Sequence, residues 1–338
     1  MTYAELVLPL VQRRDLDPER AGALMRFLIG GEATDAQIGG VLLALRVKGC
    51  TTRELAAFAA ELRAHAAVLP SNPDGLVDTC GTGGDRAGTV NVSTAAAFVA
   101  AGAGVRIAKH GNRAMSSKCG SADVLEAMGV PFGGEPEHLA HVLETVGLVF
   151  MFAQSHHPAM RHVARARKEL GQRTVFNQLG PLLNPAGARR QLIGVYDPGL
   201  MRSMGEALNH LGCERAYLVH GLEGLDEISP SGPTEVVRVW HGRVSGETFE
   251  PKDFGLDPLD PSALAPGETI EEAAAILREA ITDPESPRAR AAVPSAAAAI
   301  HLAGIADTLP EAAELALQSI ASGAAVAKLE RLVEESAL

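Results

Sequence analysis

Aromatic residues are scarce in this chain: nine phenylalanines, three tyrosines and one tryptophan make up 4% of its 338 residues. Hydrophobic residues still reach 46% and charged residues 21%, which excludes a disordered chain. Positive charge is also short, with 30 basic residues against 41 acidic ones and a formal net charge of −11. Nonspecific binding to nucleic acid or an anionic membrane needs an accumulated basic surface, so any anion site here must be local. The four cysteines, Cys50, Cys80, Cys119 and Cys213, lie far apart without a CxxC pair, and indicate neither a zinc site nor a disulfide framework. No apolar run approaches the ~18 residues that span a bilayer. The opening MTYAELVLPLVQRRD carries an acid early and only a short apolar stretch, so no targeting segment is expected and a reduced cytoplasm is the simplest location.

At this length two domains are the default. The first seventy residues read as helices alone, near 3–13, 18–30, 35–48 and 52–67. Thr2 with Glu5 and Thr34 with Gln37 have capping-box spacing, and Asp17 before Pro18 fits an N-cap followed by proline. Leu24, Leu28, Ile38, Val41, Leu42 and Leu45 recur at helical spacing and read as a packed bundle face. Leu69 to Gly75, with Pro70 and Pro73, is the linker candidate. Beyond it, strand-like runs at Leu76–Asp78, Val105–Lys109, Leu148–Phe152, Leu192–Tyr196 and Ala216–His220 alternate with helical stretches. Those stretches lie near 94–102, 122–128, 136–146, 157–170 and 200–211. Such alternation predicts a mostly parallel sheet covered by helices. An antiparallel hairpin is expected from Val236 to Phe249, and helices from Thr269 onward. The expected fold class is α/β, with a helical domain over 1–70 and a larger α/β domain over 75–338.

Two glycine-rich loops stand at expected strand ends: DTCGTGGDRAGTVNVST, Asp78 to Thr94, and KHGNRAMSSKCGSADVLE, Lys109 to Glu126. Glycine lets backbone N–H groups approach phosphate, and the positive end of a following helix favours the anion. Two such loops suggest a substrate with two separate phosphate groups. In the first, Gly81, Gly83 and Gly84 turn the chain, and Asn91, Ser93 and Thr94 cluster at a helix start. Ser93 or Thr94 serves there as an ordinary N-cap, or as a ligand to diphosphate oxygens or a metal on them. In the second, Lys109 and Lys118 are two of only six lysines, and a compact point charge suits a phosphate cradle. Ser121 before Ala122 and Asp123 is equally a plain helix start.

GTGGD, NVST, KHGNRAMSSKCGSADVLEAMG, the HHP of His156–Pro158, RKELGQRTVFNQLGPLLNP and GLDEIS together resemble the anthranilate phosphoribosyltransferases of tryptophan biosynthesis. The ordered set covers most of the chain and is specific where no single motif is. The resemblance implies transfer of phosphoribosyl from phosphoribosyl pyrophosphate to the amine of anthranilate, in a fold shared with pyrimidine nucleoside phosphorylases. It also implies that later segments, around 165–190, pack onto the helical domain, and that this domain forms a homodimer contact.

By position, the resemblance assigns Gly81, Gly84, Asp85, Thr89, Asn91, Val92, Ser93 and Thr94 to the pyrophosphate end. Lys109, His110, Gly111, Asn112, Arg113, Ala114, Met115, Ser116 and Ser117, with Ser121, would hold the ribose phosphate region. Asn112 and Arg167 match the anthranilate contacts, with Gly81, His110 and His157 lining the same pocket. Ser93, Asp226 and Glu227 would bind two magnesium ions per monomer, although an Asp-Glu pair alone usually marks a solvated loop. No residue is expected to act as acid, base or nucleophile. Cys119 departs from the family's usual serine, and an exposed thiol there would make the protein oxidation-sensitive. Two other readings stay open: a pyrimidine nucleoside phosphorylase, disfavoured by NVST and the acidic pair, and a noncatalytic nucleic-acid-binding relative, disfavoured by the charge.

Overall fold

The computed structural model describes residues 1–70, 73–83, 91–114 and 119–337. Helices α1 (Tyr3–Val11), α2 (Pro18–Ile29), α3 (Asp35–Lys48) and α4 (Thr52–Ala64) come first. Three start at capping boxes, Thr2 with Glu5, Thr34 with Gln37 and Thr51 with Glu54, while α2 starts at Asp17 with Pro18 behind it. Each box satisfies N–H groups that the helix itself leaves without partners. The apolar stripe predicted from spacing is buried, including Leu24, Leu28, Ile38, Val41, Leu42 and Leu45. Each such side chain is worth about 1.5–3 kcal/mol removed from water. The fully buried Glu54 is satisfied by Leu16 N, Thr51 N and Lys48 Nζ, each at 2.8 Å.

The α/β region follows with β1 (Val77–Gly81), α5 (Val92–Gly102), β2 (Ile107–Gly111), α6 (Ser121–Ala127), α7 (Pro136–Val146), β3 (Leu148–Phe152), α8 (Ala153–His156), α9 (Arg161–Leu170) and α10 (Val175–Leu179). Then come β4 (Arg190–Gly194), α11 (Pro198–His210), β5 (Arg215–Gly221), β6 (Thr234–Trp240) and β7 (Arg243–Phe249). The chain closes with α12 (Ile270–Thr282), α13 (Pro287–Ala303), α14 (Leu309–Ala321) and α15 (Ala324–Ser336). The sheet order is β3-β2-β1-β4-β5-β6-β7. The first five strands are parallel, and the β6–β7 hairpin joins antiparallel to β5. The helix expected over 157–170 is divided: Pro158 opens a 3-10 turn to Met160, and α9 starts only at Arg161.

Alternate strand residues feed two cores. Leu192, Tyr217, Val219 and Val236 face the alanine-rich side with α5, α7 and α12 to α15. Ile193, Ala216, Leu218 and Val237 face α11, and that core runs without interruption into α1 to α4. Val163, Ala166, Val175, Phe176, Leu179 and Leu182, from the returning segment, join the same core. The connector is tied to that segment by Ala67 N to His156 O at 2.8 Å and Leu69 N to Pro185 O at 3.1 Å.

Candidate active site

Strand β1 is where the chain reverses direction across the sheet, with β2 and β3 on one side and β4 and β5 on the other. Open sheets of this kind bind ligands beyond the carboxyl ends at such a switch point. The last residues of β1 and β4, Gly81 and Gly194, are register partners there. Thr82 N continues the pairing to Gly194 O at 2.8 Å, and Tyr196 N donates to Thr82 Oγ1 at 3.0 Å. Directly against these glycines lies the loop after β5. A Cβ on Gly194 would stand 1.6 Å from Asp226 O, and one on Gly81 would stand 3.5 Å from Asp226 Oδ2. The absence of a side chain at Gly194 therefore sets the seat of the acidic pair. Buried Leu225 and Ile228 flank the pair, and Leu225 plugs a small apolar cluster of Val92, Ala263, Leu264 and Ala291.

Glu227 faces the N-terminus of α5. That helix has Asn91 at its N-cap without a side-chain cap, and Glu227 Oε1 accepts from Ser93 N at 3.0 Å. A carboxylate complements the helix dipole here, so neither Ser93 nor Thr94 serves as the cap. Ser93 Oγ instead accepts from Lys109 Nζ at 3.2 Å, and Lys109 also donates to Thr79 O. Lys109 is 3% exposed. Burial lowers its pKa, while the charges of Asp78 and Glu227 oppose that shift. Asp78 accepts from His110 N at 3.0 Å, and burial raises its own pKa. Thr94 Oγ1 is buried without a partner among the described residues. Val92 contributes its side chain to the apolar cluster under the acidic loop.

Asp226, Glu227 and Ser93 offer hard oxygen donors beside Gly194 and the α5 N-terminus. Among the described residues no group of three His, Cys, Asp or Glu gathers as a closed cage. An open set of this kind fits magnesium, which usually keeps waters and phosphate oxygens as its remaining ligands.

The end of β2 is built differently. A Cβ on Gly111 would lie 2.5 Å from Ser121 Oγ and 2.6 Å from the Phe150 ring. One on Gly120, the N-cap of α6, would lie 2.4 Å from Ala114 N. The chain here folds onto itself: Asp123 accepts from Ala114 N at 3.0 Å and Gly120 N at 2.9 Å. Arg113 pairs with Asp123 at 3.0 Å and Glu126 at 2.7 Å. Asn112 Oδ1 accepts from Arg113 N at 2.8 Å and from Gln154 at 3.4 Å, and Ser121 Oγ donates to Asn112 O at 3.4 Å.

Across the crevice, His110 and His157 meet edge to face with ring centroids 5.2 Å apart. Burial pushes His110 down to about 3 and His157 down to about 4, so both rings are neutral at pH 7. Each bonds the backbone of the 180–183 segment, yet the Nε2 of each is buried without a partner among the described residues. Arg167, half-buried on α9, lies with its guanidinium 5.0 Å from the Phe176 ring centre. Burial lowers its pKa, and no carboxylate among the described residues pairs with it. A charged fork held by an aromatic face and lacking an internal counterion is suited to a ligand carboxylate.

Gly84, Asp85, Thr89, Met115, Ser116, Ser117 and Lys118 lie outside the described residues. Cys119 is half-buried, and burial raises its thiol to about 11. Thiolate is then scarce at neutral pH. Gly194 was not marked by any sequence signal, since a glycine ending an apolar strand is ordinary until its neighbour is known. Asn184 sits inside a quoted motif without an assigned role. Its Nδ2 donates to Ala108 O at 2.8 Å and its Oδ1 accepts from Ala186 N at 3.0 Å, fastening the 180–186 segment to β2.

A helical bundle joined to a parallel sheet, with glycines and an acidic pair at the switch point, defines a two-domain glycosyl transferase. Residues 4–66 match the glycosyl transferase family helical bundle domain, and residues 73–326 match the a/b domain of that family. An anthranilate phosphoribosyltransferase from Rubrobacter xylanophilus is 51% identical over 319 residues, covering 94% of this chain and 92% of that protein. The crystal structure of anthranilate phosphoribosyltransferase from Thermus thermophilus superposes with a TM-score of 0.93 at 42% identity, covering 98% of this chain and 99% of that one. The Saccharomyces cerevisiae enzyme in complex with PRPP and Mg gives 0.84 at 30% identity, covering 95% and 92%. The chain belongs to the anthranilate phosphoribosyltransferase family.

Proposed function

We propose that this protein transfers the phosphoribosyl group of 5-phosphoribosyl 1-pyrophosphate to the amine of anthranilate, giving N-(5-phosphoribosyl)anthranilate and pyrophosphate, in tryptophan biosynthesis. The observation that carries the site assignment is the seating of Asp226 on Gly194 and of Glu227 on Ser93 N, which joins an acidic pair to the first glycine loop. In this reading the β1 end, Gly81 with Gly84, Asp85, Thr89 and Asn91 to Thr94, holds pyrophosphate. The loop from Lys109 to Ser117, with Ser121, holds the ribose phosphate. Arg167 and Asn112 orient anthranilate, beside Gly81, His110 and His157.

Displacement at the anomeric carbon passes through an oxocarbenium-like state in which the leaving group gains charge. The protein contributes most by stabilising pyrophosphate and positioning the amine. Lys109 supplies a buried cation already directed toward Ser93, and the α5 N-terminus supplies aligned N–H groups. Ser93, Asp226 and Glu227 would hold magnesium, two ions per monomer, whose contribution when bound is to offset charge on the pyrophosphate. The arylamine is neutral at pH 7 with its lone pair available, so no general base is required. Neutral His110 and His157 would offer the acceptor shape and hydrogen bonding without charge.

The division into a helical unit, residues 1–70 with the 165–190 segments, and an α/β unit over 75–338 belongs to the same proposal, as do a homodimer and a cytoplasmic location. Exposed Leu8, Val11, Leu43 and Val47 on α1 and α3 support a subunit contact through the helical unit. No helix among the described residues is long and apolar enough to cross a membrane. The test is an assay of anthranilate consumption with phosphoribosyl pyrophosphate and magnesium, run beside thymidine phosphorolysis. Anthranilate turnover alone is expected. Phosphorolysis alone would contradict the proposal.

A further inference from the structure

We propose that Ser295 is a positioning residue for Glu227, acting from the middle of α13 to set the carboxylate that the reading above assigns to magnesium. Ser295 is fully buried within an apolar run of the helix, Ala291 to Ala299. A hydroxyl buried there without a partner would cost free energy. A serine in mid-helix commonly returns its hydroxyl to a carbonyl one turn back. Ser295 Oγ instead reaches Glu227 Oε2 at 3.5 Å, while Glu227 Oε1 accepts from Ser93 N at 3.0 Å. The two carboxylate oxygens are thus held from two helices, α13 and α5, which pack against each other. The loop between them is anchored by Leu225 to Val92 on α5 and Ala291 on α13. Ser295 is thereby placed to limit the rotation of the carboxylate.

The inference rests on Glu227 holding magnesium, and a double-mutant cycle separates the two claims. Binding of inorganic pyrophosphate is measured by calorimetry across a magnesium titration for wild type, Ser295→Ala, Glu227→Gln and the double variant. Alanine is the best helix former, so Ser295→Ala should fold, and its thermal midpoint serves as the check. We expect Ser295→Ala to raise the magnesium concentration for half-maximal pyrophosphate binding by about tenfold, the usual scale for a group oriented behind a metal ligand. The anthranilate KM should stay unchanged, and Ser295→Ala should add nothing in the Glu227→Gln background. An unchanged magnesium requirement in Ser295→Ala, or an equal cost in both backgrounds, overturns the inference while leaving the metal reading intact. A Glu227→Gln protein with wild-type magnesium dependence overturns both.

Discussion

The ends of β1 and β2 read alike in sequence, each a glycine followed by polar residues and a helix, yet glycine serves different purposes at the two. At β1 the space left by Gly194 is filled by the acidic loop, brought from beyond β5. At β2 the space left by Gly111 and Gly120 is filled by the loop's own neighbours, Ser121, Phe150 and Ala114. The local charges differ in the same way. Arg113 is paired with Asp123 and Glu126 beside β2, whereas Glu227 at β1 faces a helix N-terminus with Lys109 behind it. One end assembles charge from distant parts of the chain, and the other is closed by its own loop and by the Phe150 ring of β3.

The sharpest way to break this contrast is Gly194→Ala. Its Cβ would occupy the position of Asp226 O, which is backbone and cannot swing aside. A shift of about 1 Å in the acidic pair should lower kcat/KM roughly a hundredfold, with overpacking costing about 1–3 kcal/mol of stability. Steady-state kinetics and thermal unfolding measure both. Gly111→Ala meets a movable hydroxyl and a ring, so it should cost less activity than Gly194→Ala.

Next in size is Arg167→Ala. Losing hydrogen bonds to a charged carboxylate costs about 1.5–3 kcal/mol, so the anthranilate KM should rise roughly tenfold to a hundredfold. The KM for phosphoribosyl pyrophosphate should stay near its wild-type value. Comparable increases in both would place Arg167 elsewhere than at the acceptor.

Acidification probes the histidines between the two ends. Buried His110 and His157 are depressed to about 3 and about 4 from a usual value near 6.5, and His156 is lowered as well. The unfolded chain therefore binds more protons than the folded one between about pH 6.5 and about pH 3. Their contribution to stability is present above pH 6.5 and is lost as pH falls through that window. Thermal midpoints should drop on acidification, less steeply in His110→Asn and His157→Asn. The kcat/KM profile should show no inflection near 6.5. The smallest effect is expected from Arg113→Ala, whose exposed ion pairs are of the kind that contribute little. Its thermal midpoint should remain close to wild type.

Much of this was legible in the sequence because it depends on short-range chemistry. Capping boxes at Thr2 and Thr34, the Asp17–Pro18 start and the strand over Leu148–Phe152 are set by neighbours within a few residues. The family resemblance joined Asp226 and Glu227 to Ser93 before any geometry was known. What spacing could not convey was the device holding them. Gly194 matters through Asp226, and Ser295 through Glu227, and neither contact leaves a periodic trace. The same limit applies to Arg113. Its pairing with Asp123 and Glu126 is a contact that spacing does not reveal. The α10 helix, Val175–Leu179, was also missed, since five residues are too few for helical periodicity to register.

The most direct measurement is magnesium-dependent formation of N-(5-phosphoribosyl)anthranilate by wild type and by the Asp226→Asn/Glu227→Gln variant, each checked for folding. The account predicts that wild-type turnover is lost on chelation and restored by magnesium, and that the folded variant is impaired and no longer restored at the same magnesium concentration. Turnover that survives chelation in the wild type, or a wild-type magnesium dependence in the variant, would contradict it.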